Sequence, residues 1–376
     1  MSEPFPPLPL PAGIRERRLD RVNGLRMAVL EAGDPADPAV VLLHGFPELA
    51  FSWRAIMPAL ASAGFHVAAP DQRGYGRTTG WDDRYDGDLA SFRVLNLVTD
   101  LLALLRAMAI PRVAAIVGHD FGSVVAAWAA LIRPDVFPAV ILMSAPFAGA
   151  PALASAAAAA AALDAGLAAL DPPRRHYTHF FAQPGANADM MQSPQGLPSF
   201  LRAYFHVKSG DFLGNAPFTL GAPEPDSYSK LPPYYVMPRS LGMAETVAAA
   251  MPSPAEIAAC RWLPEDALAI YAEAFARTGF QGGLNWYRAV ADPTLRVFSG
   301  RTIDVPAAFI AGARDWGVYQ TPGAFEAMAS RACTRLGTCL LIPDAGHWVQ
   351  QEASEAVTAE ILRFLRHLRP APAPAG

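Results

Sequence analysis

The chain has 376 residues, is 52% apolar and carries a net charge of −4. That length allows one large domain or two smaller ones with a sizeable core, and the apolar share excludes a disordered chain. With no basic excess, the charge balance argues against a nucleic-acid partner.

Met1–Gly13 is Pro-rich and lacks the basic n-region and apolar h-region of a secretory signal. Strands are predicted over Arg15–Val22, Leu25–Glu31 and Val40–Leu43, divided by Asn23-Gly24 and Gly33-Asp34-Pro35 turns. Phe65–Ala69 is a further buried strand, closed by Pro70-Asp71. A helical pattern covers Leu95–Met108. The β-branched run Val113–Val117 then passes through a short turn into an apolar helical run, Ser123–Ile132, stopped by Arg133-Pro134. Val140–Met143 is one more strand. Strands alternating with helical runs predict an α/β fold around a mostly parallel, doubly wound sheet.

From Phe147 to Gly300 the texture changes to Ala, Pro, aromatics and helical periods, with no clear buried strand. Ala148–Leu170 reads as a soluble helix, because alanine is weakly apolar and Asp164 interrupts the run. Another helix opens at Pro264-Glu265-Asp266, with proline in the first turn, and closes at Thr278-Gly279. Ala307–Ala311 and Leu340–Ile342 resume the strand texture, and a last helix spans Ser354–Leu368. A Pro/Ala tail expected to be disordered follows from about residue 370. The predicted organisation is a core built from residues 1–146 and 301–376, with a helical cap, 147–300, inserted between. No internal repeats occur. Cys260, Cys333 and Cys339 are read as free thiols of a reducing compartment, which fits the cytoplasm.

The turn after Val117 is Gly118-His119-Asp120-Phe121-Gly122. Strand, tight turn and helix, with small residues two before and two after the central one, form the layout of a nucleophile elbow. The central residue is usually Ser; here it is Asp120. A carboxylate suits attack on an sp³ carbon, which gives an alkyl ester. The competing reading is a turn aspartate that caps the next helix. An elbow nucleophile needs an acid and then a histidine later in the chain. Asp315 lies at the carboxyl end of its strand, and His347 lies in the loop after the last strand. Asp304 precedes its strand and so sits at the wrong end, and Asp344 reads as a turn residue. His44-Gly45-Phe46-Pro47 follows the third strand at the same edge. Backbone N–H groups of Phe46 and Phe121 are positioned to form an oxyanion hole. His44 itself is expected to pack beneath the site rather than act as a base. No metal-spaced cluster of His and Cys is present, so neither a metal nor an organic cofactor is implied.

These residues resemble the soluble epoxide hydrolases of the α/β-hydrolase fold. The likeness runs through His44-Gly45-Phe46-Pro47-Glu48, Asp71-Gln72-Arg73-Gly74-Tyr75-Gly76, the elbow and Gly346-His347-Trp348. Haloalkane dehalogenases share those motifs. Gly279-Phe280-Gln281-Gly282-Gly283-Leu284-Asn285-Trp286-Tyr287-Arg288 is similar to the segment that carries one catalytic tyrosine of the family, here Tyr287. Tyr177-Thr178-His179-Phe180-Phe181-Ala182-Gln183-Pro184-Gly185 is similar to the segment carrying the other, here Tyr177. Ala182-Gln183 departs from the usual pattern there, and His176 and His179 are alternative polar groups. Phe181 and Trp348 are expected to contact substrate.

The resemblance implies hydrolysis of a small-molecule epoxide by water to a vicinal diol, and a role in detoxification. Ester formation on Asp120 would come first, followed by hydrolysis by His347 oriented by Asp315. Two phenols suit the first step, because the departing alkoxide needs a donor. A dehalogenase of this fold usually has Trp after the nucleophile and Asn after His-Gly. Phe121 and Phe46 stand there instead. A dehalogenase-type hydrolase and a non-enzymatic ligand-binding member of the fold are the rival readings. Oligomeric state is not encoded in these patterns.

Overall fold

In the computed structural model, residues 5–153 and 157–368 are described. Among the described residues ten strands form: β1 (Ile14–Val22), β2 (Leu25–Ala32), β3 (Ala39–Leu43), β4 (His66–Pro70), β5 (Ala115–His119), β6 (Val140–Met143), β7 (Arg174–His176), β8 (Val236–Pro238), β9 (Ala307–Gly312) and β10 (Leu336–Ile342). Eight make one sheet in the order β1-β2-β4-β3-β5-β6-β9-β10. Every pairing from β4 to β10 is parallel, and the β1–β2 and β2–β4 pairings are antiparallel, so β2 alone runs against the other strands of this sheet.

The period of two explains why the central strands are apolar throughout. In β3, Val41 and Leu43 join the core on one face, whereas Val40 and Leu42 join the core on the other. In β6, Val140 and Leu142 face one way and Ile141 and Met143 the other. Both faces are covered by helices, so neither face of these strands needs polar residues. The helix Val94–Ala107 and the helix Phe121–Ile132 lie on the first face, and Ser354–Leu368 packs on the second.

Since β6 pairs directly with β9, everything between Met143 and Ala307 is one excursion from the sheet. That excursion is mostly helical, as expected, but three readings need correction. Among the described residues the alanine-rich helix covers Ala157–Ala168. Phe147–Leu153 is not helical, because Gly149 takes φ +105° and Pro151 follows it. A short antiparallel pair, β7 with β8, also occurs, and Val236 and Met237 in it are buried. Three residues are too few to show a strand period in sequence. Pro264 stands at the N-cap of the helix Glu265–Thr278 rather than inside its first turn, and Gly279, at φ +62°, ends that helix. At the sheet's edge, β10 starts four residues before the expected Leu340, where half-exposed side chains hide the apolar run. The expected disordered tail lies outside the described residues. No helix among the described residues is long and apolar enough to cross a membrane. Cys260, Cys333 and Cys339 are unpaired.

A parallel sheet delivers all its strand-end loops to one edge. The loops after β3, β5, β6, β9 and β10 therefore meet there, carrying Phe46, Asp120, Ser144, Asp315 and His347.

Candidate active site

Asp120 sits between β5 and the helix Phe121–Ile132 with φ +52° and ψ −119°. That left-handed backbone is strained for a residue with a side chain. The flanking glycines make the turn possible. A Cβ on Gly118 would lie 2.0 Å from the Gly122 carbonyl oxygen, and one on Gly122 would lie 2.3 Å from that of Leu43. The Asp120 side chain does not cap the helix. Its Oδ1 instead accepts from the Phe46 N–H at 3.0 Å.

His347 Nδ1 lies 3.0 and 3.1 Å from the two carboxylate oxygens of Asp315. Its Nε2 is 3.4 Å from Asp120 Oδ2, an ion-pair distance, and makes no hydrogen bond. Asp315 is further fixed by the Gly317 N–H at 2.6 Å. The three residues predicted from three separate strand ends thus converge, and all are buried. Burial opposes ionisation of Asp120, but the nearby His347, then the charges of Lys208 and His119, outweigh it and hold the carboxyl below its ordinary pKa. Asp315 is held low in the same way, burial being overcome by His347, Ser144 and the Gly317 N–H. For His347, burial and Lys208 press downward, while Asp315 and Asp120 pull harder, so its pKa is raised.

Behind this group lies a second layer that motif reading left without a role. His119 Nδ1 is 2.6 Å from Glu48 Oε2, and its Nε2 is 2.7 Å from the His347 carbonyl oxygen. Glu48 also accepts from Gln350 and Gln351, at 2.8 and 3.0 Å. Glu352 accepts from three backbone N–H groups, those of Gly210, Gly346 and Trp348, at 2.7, 2.8 and 2.9 Å. It thereby fastens the His347 loop to the helical segment. Burial nevertheless dominates and pushes its pKa up to about 7. His44 is fully buried, with Nε2 accepting from the Gln72 N–H at 3.1 Å, so it packs beneath the site as expected.

The helical segment supplies an aromatic roof. Tyr287 packs edge-on to Phe121 at 4.6 Å, Phe181 at 5.0 Å, Phe46 at 5.5 Å and Tyr177 at 5.8 Å between ring centroids. Its helix, Gln281–Ala289, docks by backbone contact: a Cβ on Gly282 would stand 2.2 Å from the Gly74 oxygen. The Trp286 indole also donates to the Arg73 carbonyl at 2.9 Å. Tyr177 begins the helix Tyr177–Phe181, and its hydroxyl donates to Gln320 Oε1 at 3.1 Å. Burial, then the Asp120 charge, raises the Tyr177 pKa, although a hydrogen bond with Tyr287 acts against this. Burial also raises that of Tyr287. Both phenols are therefore protonated donors.

His179 pairs with Asp164 at 2.6 Å, and His176 Nδ1 with the Thr178 hydroxyl at 2.8 Å. Both line an outer groove, open to solvent, whose lining also includes Tyr287. Phe181 belongs to the roof. Trp348 lies behind His347, 4.7 Å ring to ring, with its indole donating to the Phe205 carbonyl at 2.7 Å. Phe121 directly follows the nucleophile as the first residue of the helix Phe121–Ile132, where a backbone N–H has no intrahelical acceptor.

A carboxylate on a strained strand-to-helix turn, backed by a histidine and a second acid at later strand ends, is the site plan of a hydrolase of this sheet architecture. A family model described as alpha/beta hydrolase fold matches residues 38–354. Epoxide hydrolase A of Mycobacterium tuberculosis is 35% identical, over 95% of this chain and 99% of its own length. Among solved structures, epoxide hydrolase A from Mycobacterium thermoresistibile is 34% identical with a TM-score of 0.74, covering 95% of this chain and 100% of that one. Potato epoxide hydrolase I is 30% identical with a TM-score of 0.74, covering 94% and 99%. The chain belongs to the epoxide hydrolases of the α/β-hydrolase fold.

Proposed function

We propose that the protein hydrolyses epoxides to vicinal diols in two covalent steps, with a small-molecule epoxide and water as its substrates. The observation that carries this reading is the position of Asp120. It is an ionised carboxylate on a strained turn, under two protonated phenols and beside a histidine whose Nε2 has no hydrogen-bond partner.

In the first step an Asp120 oxygen attacks an epoxide carbon. A C–O bond of the ring breaks, and the new alkoxide takes a proton from Tyr177 or Tyr287. This leaves a hydroxyalkyl ester on Asp120. Ester formation also removes the carboxylate charge that helps raise the pKa of His347. The imidazole is therefore more fully in its neutral form when the second step needs a base. Asp315, on Nδ1, orients it so that Nε2 accepts a proton from water. Hydroxide adds to the ester carbonyl, and the oxyanion is met by the N–H groups of Phe46 and Phe121. Collapse breaks the ester C–O bond. The diol oxygen takes the proton back from His347, and the acid proton on Asp120 returns to the tyrosine.

In this reading, residues 147–300 serve as a cap over a core of 1–146 and 301–376, and substrate reaches Asp120 past Tyr287 from the outer groove. Phe181 and Trp348 shape the apolar walls. A cytoplasmic location and a part in detoxifying reactive epoxides belong to the same reading, with the unpaired cysteines supporting the former. The test is to incubate wild type and His347→Gln with small, aromatic and long-chain epoxides. Wild type should release diol, and His347→Gln should accumulate a mass increase equal to one substrate on the peptide holding Asp120. Diol release by His347→Gln at the wild-type rate contradicts the scheme.

A further inference from the structure

Lys208 ends the helix Leu197–Lys208, which buries Phe200, Tyr204, Phe205 and Val207 beside it. The lysine itself is 5% exposed. Burying an ammonium is costly without a compensating partner. Among the described residues no carboxylate stands in ion-pair contact with it, for those of the site contact histidines instead. Its Nζ lies over three rings: Tyr235 at 5.2 Å, and Tyr204 and Trp348 at 5.5 Å each. Such a cage holds a charged ammonium by cation–π attraction.

The cage borders the catalytic group. Trp348 packs on the His347 ring, and Tyr235 packs on Tyr177 at 5.3 Å. Backbone bonds fix the ammonium's segment to the histidine's loop. The His347 N–H donates to the Lys208 carbonyl at 2.9 Å. Two residues on, Gly210 shares the Glu352 carboxylate with Gly346 and Trp348. Arg314 Nη1 donates to the Gly210 carbonyl at 3.0 Å. Lys208 thus cannot drift from the site without breaking the loop that carries His347.

We propose that Lys208 is a positioning charge for the base: a caged cation that keeps His347 neutral and proton-accepting during ester hydrolysis. This rests on the two-step reading above. The groups facing His347 make the need clear. Asp315 lies on Nδ1, Asp120 faces Nε2, the His119 ring stands 5.0 Å away carrying Glu48 behind it, and Glu352 sits under the loop. All four carboxylates favour imidazolium when ionised. Lys208 is the lysine set against them, and after Asp120 becomes an ester it opposes one carboxylate fewer. Burial lowers its pKa, and the charges of Asp120, Asp315 and Glu48 oppose that lowering.

The experiment is rapid-quench single turnover with styrene oxide from acid to neutral pH. Intact-protein mass follows formation and decay of the ester in wild type, Lys208→Met and Lys208→Arg. Lys208→Met should move the acid limb of ester decay upward by about one pH unit. Below that limb, decay should be about tenfold slower, while ester formation keeps its profile because Asp120 stays ionised. Lys208→Arg should restore the wild-type limb. A packing role predicts the opposite order, with the apolar Met tolerated and Arg harmful. If Lys208→Met does not fold, Lys208→Gln takes its place with the same expected shift. An unshifted limb in the neutral variant, or equal shifts in the neutral and Arg variants, overturns the inference. An ester that never forms in wild type while diol appears refutes the two-step reading, and the inference with it. An ester that forms and decays with an unshifted neutral-variant limb refutes the inference alone.

Discussion

The two halves of the site are held in different ways. Asp120, Asp315 and His347 stand at the ends of β5, β9 and β10, where sheet hydrogen bonds set their relative positions. Tyr177 and Tyr287 stand on helices of the excursion, positioned mainly by ring packing and a glycine-to-glycine contact, with hydrogen bonds from the Trp286 indole and the Tyr177 hydroxyl at their margins. The sheet side is built on short polar contacts between buried groups, so small displacements there cost directional bonds. On the roof side, the proposed scheme makes each phenol one of two donors to the same oxygen. The difference predicts that chemistry on the sheet side fails sharply and chemistry on the roof side fails by degrees.

The sharpest break should come at the nucleophile. Asp120→Ala should lower diol formation by about 10⁴-fold or more and yield no ester, as loss of a covalent nucleophile does. Residual turnover near the wild-type rate would mean that water attacks the epoxide directly.

The roof should fail more gently. The Tyr177→Phe, Tyr287→Phe double variant should slow ester formation by about 10² to 10⁴-fold, the usual range for a general acid. Each single variant should keep part of the rate, and the two losses should not add, because both phenols serve one oxygen. Rapid-quench rates of ester formation decide this. If Tyr287→Phe slows only ester decay, that phenol is not the epoxide donor.

A stability comparison sharpens the contrast without touching a reacting group. Gly122→Ala would force a methyl to within 2.3 Å of the Leu43 carbonyl oxygen. Such overpacking against backbone typically costs about 1–3 kcal/mol. Denaturant unfolding should show this loss, with activity falling too because the elbow must shift. An unchanged midpoint would mean that the turn is more pliant than its contacts imply.

The smallest effect is expected at Gln320, which only orients Tyr177. Removing one hydrogen bond is worth about 1 kcal/mol, so Gln320→Leu should slow ester formation roughly fivefold. A loss as large as that of Tyr177→Phe would make Gln320 part of the reacting group.

The same contrast governs what was legible in the sequence. The strand-end residues could be read because each follows an apolar run and sits in a loop with its own chemistry. Val140–Met143 and Ser354–Leu368 matched the structure residue for residue. The roof was legible at Tyr177 and Tyr287 only through family motifs, since an aromatic on a helix has no signature of function. The Ala148–Leu170 run misled because composition outweighed the punctuation of Gly149 and Pro151. Lys208 left no sign at all. A lysine at a helix C-terminus ordinarily faces solvent and complements the dipole. Its burial comes from Tyr235 and Trp348, which are distant in the chain. Glu48 and His119 lay inside recognised motifs, but their pairing across the sheet edge depends on the folded backbone.

The central claim is that Asp120 forms the covalent bond. One turnover in ¹⁸O-labelled water, with enzyme in excess, tests it most directly. The account predicts label in the Asp120 carboxylate and none in the first diol released, because the diol's new oxygen comes from the aspartate. Label in that first diol, with an unlabelled Asp120, would contradict it.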